Sequence, residues 1–269
     1  MLFDSFKEGL YDVRAALLRP LLWLTPAYYD IVLRFRSSAI GPFWITLNTA
    51  IFIATLGFVF SQLFGQDISQ YLPYLAVGFP IWFFLSTMIN ESATLYKSNS
   101  GLIRNTPLPL FSLILRLVVR NMIMFSLNMI IMFLTVLLFS ALSLSTLPYA
   151  IMGLIIQILS AFCFSAIIAL ITARFFDIEQ IITSFLQIIF LVSPIMWSID
   201  ILEARGISRP SFVEWNPVYH YIELVRAPIL GKMANYPETL LFSLGTLALL
   251  IVSALYLHGR YKRYVPLWV

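Results

Sequence analysis

The chain has 269 residues, of which 60% are hydrophobic and only 11% charged, with a formal net charge of +4. That composition excludes an ordinary soluble domain and a disordered segment, and places the chain among proteins whose solvent is the bilayer. The single cysteine, Cys163, excludes an intrachain disulfide and a two-cysteine redox motif.

The first 40 residues read as an amphipathic segment at the membrane surface. Phe3, Phe6, Leu10, Val13 and Leu17 recur at three and four, opposite Asp4, Lys7, Glu8 and Arg14. Pro20 ends this stretch. A second piece follows, with Tyr28, Tyr29, Ile31, Val32 and Phe35 against Asp30, Arg34 and Arg36. Such helices lie at headgroup depth with their cations toward anionic lipid. They serve either as a plain anchor or as a gate at the inner mouth of a pore, in which Arg34 and Arg36 would be the basic residues. The charges scattered through the first 30 residues leave no uninterrupted apolar run for a cleavable signal peptide.

From residue 41 to 269 the pattern predicts an all-α, polytopic domain with six membrane spans. They run over Trp44–Leu63, Leu72–Leu95, Ser112–Leu138, Leu147–Thr172, Ile181–Ser198 and Thr239–Leu257. About 20 apolar residues cross the hydrocarbon core as a helix, and each backbone amide there needs an internal partner. The β-barrel alternative requires alternating polarity, which these runs lack. Between spans two and three, residues 96–111 are polar and broken by Pro107 and Pro109, with room for one short helix along the membrane. The segment 199–238 between spans five and six contains Val218, Ile222, Val225 and Ile229 at helical spacing. That run is too short to cross and suits one or two re-entrant helices.

Thirteen of the 17 Lys and Arg residues fall at one side of these spans, leaving Arg205, Arg209, Arg226 and Lys232 on the other. The positive-inside bias therefore predicts cytoplasmic termini, and the charge excess requires no nucleic acid.

Little in the chain suggests catalysis. His220 and His258 fall on opposite sides of the membrane and cannot share a metal, and no metal site is expected. No G-x-x-x-x-G-K-[ST] loop occurs, so nucleotide is not held through that motif. Glu91, near the inner end of span two, is the main acidic candidate for an intramembrane ion pair, with Arg116 and Arg120 of span three as possible partners. Two polar stripes are more telling. Trp44, Asn48, Phe52, Thr55, Val59 and Gln62 share one face of span one. Gln180, Ser184, Gln187, Leu191, Pro194 and Ser198 share one face of span five, with Trp197 beside it. Amides, hydroxyls and rings at this spacing either bond helix to helix or wall a pore suited to sugars.

Four motifs then resemble one family. They are Arg34-Phe35-Arg36-Ser37-Ser38-Ala39-Ile40-Gly41-Pro42-Phe43-Trp44, the loop from Asn99 to Pro109, Ser193-Pro194-Ile195-Met196-Trp197-Ser198, and the run from Trp215 to Arg226. Together, and in this order, the chain resembles the permease subunit of ABC-type polysaccharide exporters, the group that moves O-antigen, capsule and teichoic-acid polymers. The resemblance implies a homodimer bound to two copies of a separate ATPase subunit, which would hold the ATP and Mg, so that this chain carries no cofactor and is not itself an enzyme. It implies a lipid-linked polysaccharide as cargo. It implies a channel lined by Trp44, Asn48, Phe52, Thr55, Gln62, Ser184, Gln187 and Trp197. Lys97, Asn99, Gly101, Arg104 and Asn105 would form the coupling helix against the ATPase. Trp215, Asn216, Pro217, His220, Glu223 and Arg226 would form an outer gate. Two other readings stand beside it: an ABC permease for a small lipid or drug, and a membrane transferase acting on lipid-linked sugar. The latter needs a cluster of acidic or histidine residues on one membrane side.

Overall fold

The computed structural model describes residues 2–139, 141–199 and 210–269, with 202 and 206 between the last two stretches. Arg205, Arg209 and part of the expected gate segment thus lie outside the described residues. Every regular element among the described residues is helical: α1 Leu2–Leu17, α2 Leu21–Phe35, α3 Phe43–Phe64, α4 Ile68–Ser98, α5 Ser100–Asn105 and α6 Leu110–Leu138. Then follow α7 Leu147–Arg174, α8 Ile178–Val192, α9 Ser211–Glu214, α10 Pro217–Ile229, α11 Tyr236–Tyr261 and α12 Val265–Trp268.

Five of these, α3, α4, α6, α7 and α11, are long and apolar enough to cross a membrane. The run read as a fifth span, Ile181–Ser198, is instead a 15-residue helix, α8, that stops at Val192. It is about 22 Å long, against the roughly 30 Å of a hydrocarbon core. The reason is local. Ser193 precedes Pro194 and is extended, at φ −77° and ψ 141°, as the residue before proline tends to be. The chain then unwinds through Ser198. Its freed carbonyls are capped from neighbouring helices. The Tyr71 hydroxyl donates to Met196 O. The Tyr74 hydroxyl lies 2.8 Å from Pro194 O and 2.9 Å from Trp197 O. Arg226 Nη2 donates to Pro194 O at 2.9 Å.

The helices are staggered. Thr46, in the first turn of α3, donates to Leu127 O at 3.1 Å. Leu127 is roughly 25 Å along α6 from its start. The basic ends of α4 and α6 therefore project well past the start of α3. Pairings there include Glu91 with Arg120 and Asp30 with Arg116, so these charges sit below the level that α3 spans.

Close backbone approaches fix two crossings. A Cβ on Gly259 would meet Ser5 O and lie 2.9 Å from Gly9 N, so α1 rests directly on α11. A Cβ on Gly153 would meet Leu224 O, which seats α10 against α7. The α1 contact is reinforced by charge. Lys262 Nζ lies 2.8 Å from Glu8 Oε2, and this partner holds the Glu8 carboxyl below its usual range. Asp12 accepts from Phe111 N at 3.1 Å, capping the start of α6. Burial raises the Asp12 carboxyl pKa, opposed by that amide and by Lys262.

Candidate functional site: a polar trough beside an ion cluster

The two stripes read from the sequence are exposed. On α3, Trp44 is 47% and Phe52 41% exposed, and Asn48, Thr55 and Gln62 share that open face. On α8, Ser184, Gln187 and Leu191 are exposed in the same way. Trp197 is half-buried, with its indole nitrogen 3.3 Å from Leu191 O. A row of rings on α4 joins the two faces. Phe79 lies 5.1 Å from Phe52 of α3 and 6.0 Å from Phe190 of α8, and Trp82 lies 5.7 Å from Phe190. The result is a trough whose exposed polar walls, on α3 and α8, are tied together by rings buried beneath them, with Phe79 at 0% and Trp82 at 5% exposure.

At its basic end the trough meets a charge cluster. Arg116 binds Asp30 of α2 with Nε at 2.8 Å and Nη2 at 2.6 Å, a bidentate pairing. Arg120 reaches the same carboxylate at 3.3 Å and Glu91 Oε2 at 2.7 Å. Asn121 Nδ2 donates to Glu91 at 2.6 Å. Arg116 Nη1 also lies 3.4 Å from Asn99 Oδ1, where α4 turns into α5. Four segments thus share one ionic knot. Glu91 with Arg120 was foreseeable from the sequence; Asp30 was not, because it sits among the polar residues of an amphipathic helix. The i, i+4 spacing of Arg116 and Arg120 was the available signal that one anion would be shared.

Of the residues read as coupling, Gly101, Arg104 and Asn105 lie on the short helix α5, Asn99 precedes it, and Lys97 is in the last turn of α4. Gly101 is open, Asn105 Nδ2 donates to Gly101 O at 2.8 Å, and Arg104 donates to Val269 O beside α12. Lys97 is exposed, 5.0 Å from the Phe176 ring. Arg34 and Arg36 are exposed at the end of α2.

The residues read as an outer gate are held in different ways. Asn216 caps α10 by accepting from Val218 N at 3.0 Å, and its other end donates to Ser193 at 2.7 Å. Pro217 occupies the first turn, where a missing N–H costs nothing. His220 is buried, 2.7 Å from Glu214 O and stacked 4.1 Å from Phe242. Arg226 is 1% exposed, paired with Glu223 and lying 3.8 Å over the Tyr74 ring. Trp215 is 77% exposed. Tyr71 and Tyr74 went unnoticed in the sequence, though a hydroxyl inside an apolar span is itself a sign of a buried partner.

Comparison with known proteins agrees with this architecture. The family described as ABC-2 type transporter matches residues 22–230. A relative from Klebsiella pneumoniae, "O-antigen export system permease protein RfbA", is 24% identical over 86% of this chain and 83% of its own length. A protein of the same name from Myxococcus xanthus is 21% identical, covering 70% of this chain and 72% of its own length. A multi-pass helical chain whose sequence matches that family over most of its length belongs to the ABC-2 type transporter family.

Proposed function

We propose that this chain is the channel-forming subunit of an ATP-driven exporter that carries a lipid-linked polysaccharide across the bacterial inner membrane. Two copies close around the conduit, and two separate ATPase subunits bind at the basic, cytoplasmic end. The observation that carries the reading is the trough formed by the exposed polar faces of α3 and α8 on either side of α4. It leaves amides, hydroxyls and ring faces unpartnered at membrane depth, where they cost free energy unless a wet conduit covers them. An uncharged wall of many weak contacts suits processive movement of a sugar chain. The names of the relatives support the polymer as cargo. Residues 1–40 serve as the surface segment at the entrance, α5 couples to the ATPase, and α9 and α10 close the exit.

Deleting the gene is expected to remove the polymer from the cell surface and trap it inside, as read by surface antibody staining against total polymer. Normal surface polymer in the deletion strain overturns the reading. Cysteines placed at 44, 48, 52 and 55 in a Cys163→Ala background are expected to react with water-borne thiol reagents in the assembled complex. Protection of all four in every nucleotide state removes α3 from the wall.

Arg104→Glu is expected to cut export at least about tenfold while leaving membrane insertion intact, because it places a like-signed repulsion or an unpaired charge at the ATPase contact. Export at the parental rate would remove α5 from the coupling role.

A further inference from the structure

A cavity of about 270 Å³ opens between α3, α4 and α6, where the trough meets the ion cluster. Its polar lining is Asn48 and Thr49 of α3, Thr87 of α4, and Asn121 and Asn128 of α6. Phe83, Phe84 and Phe125 supply ring surface, and Arg34 of α2 also lines the cavity.

The polar groups are held in place. Asn128 is 6% exposed and its Oδ1 accepts from Thr49 at 2.9 Å, which leaves its amide N–H₂ turned to other partners. Asn121 is 5% exposed and spends its N–H₂ on Glu91 and Leu117 O, which leaves its carbonyl oxygen. Among the described residues, the Thr87 hydroxyl and the Asn48 amide have no protein partner. One fixed donor, one fixed acceptor and two adaptable groups therefore converge beside aromatic rings.

We infer that this cavity binds a single sugar ring of the transported polymer, making it an entry subsite on the inner-leaflet side of the channel. The inference rests on the polysaccharide reading above and deepens it. Other occupants fit less well. A hydrocarbon chain would leave these amides and hydroxyls dry, at about 1–3 kcal/mol for each unsatisfied group. A phosphate needs several converging cations, and Arg34 is the one cation lining the cavity. A metal ion needs a free carboxylate, whereas Glu91 is bonded to Arg120 and Asn121. A pyranose offers vicinal hydroxyls to paired donors and acceptors and C–H faces to the rings. The volume suits one such unit.

The test uses the complete complex with its ATPase in lipid nanodiscs. The probe is the host's own polysaccharide, released from its lipid by mild acid, with inorganic pyrophosphate as a second arm. Asn48→Leu and Thr87→Val touch no internal hydrogen bond, so the fold is preserved; correct insertion and complex assembly are confirmed first. Each variant is expected to weaken glycan binding at least about tenfold, or roughly 1.4 kcal/mol, and to slow surface appearance of polymer. Parental glycan affinity in both variants overturns the subsite. So does pyrophosphate binding that falls in step with the glycan, since that marks an anion site. A deletion strain that still displays polymer sinks the export reading itself; a deletion strain that loses polymer, alongside variants that bind and export normally, sinks the subsite alone.

Discussion

Asp30→Lys is expected to abolish most export, and Arg116→Asp in the same chain to restore much of it. The single change sets a third cation beside Arg116 and Arg120, whose side chains are 24% and 23% exposed. It also removes the bidentate partner of Arg116. Charge pairs this sheltered are worth more than surface pairs, and neighbours in one network couple by about 0.5–3 kcal/mol in a double-mutant cycle. Export should fall about tenfold or more in the single variant and recover to within a few fold in the swapped pair. The relevant readouts are export rate and thermal melting of the purified complex. A swapped pair no better than the single variant would show that the two residues do not meet. The knot joins α2 to α4 and α6 at the α5 junction, so transport should suffer more than expression.

Gly259→Leu is expected to be the most damaging substitution to the fold. Its Cβ would meet Ser5 O and crowd Gly9 N, which are backbone atoms that cannot rotate away. α1 must then lift off α11, taking the Glu8–Lys262 pair and the Asp12 cap of Phe111 N with it. Overpacking of this kind costs about 3 kcal/mol or more. The protein should lose its monodisperse peak in detergent gel filtration. Gly245→Ala is the matched control. No atom lies within 4 Å of a Cβ there, so the change should be neutral or stabilise α11 by about 0.5–1 kcal/mol. Equal behaviour of the two variants would refute the tight crossing.

Much of this architecture was legible because long apolar runs leave the backbone little choice in lipid. Five helices lie where hydropathy placed spans, and α10 begins at Pro217, just after its Asn216 cap. The early end of α8, at Val192, has a local cause. Counting apolar residues carried the span through Pro194, although a proline disfavours helical geometry in the residue before it, and Ser193 is extended. Local backbone chemistry outweighed hydropathy. Spans two and three were read as ending near Leu95 and beginning near Ser112, with charges just inside lipid. The stagger against α3 moves those charges past its start, a relation that no single stretch of sequence contains. The stripes on α3 and α8 were visible as periodicity, but their meeting across Phe79 depends on which helices are neighbours. Asn121 and Asn128 drew no notice, since isolated amides in an apolar run look like ordinary interhelical glue.

α4 carries Glu91 of the ionic knot near one end and Tyr71 and Tyr74 near the other. The same rod thus grips the charged hub and holds the unwound carbonyls of Pro194, Met196 and Trp197. A twist imposed at the hub cannot stay there; it reaches the two phenols unless something along the shaft absorbs it. Pro80 sits between them, a point where one helical hydrogen bond is missing. The stiffness of that joint would set how far a movement at one end of α4 is felt at the other.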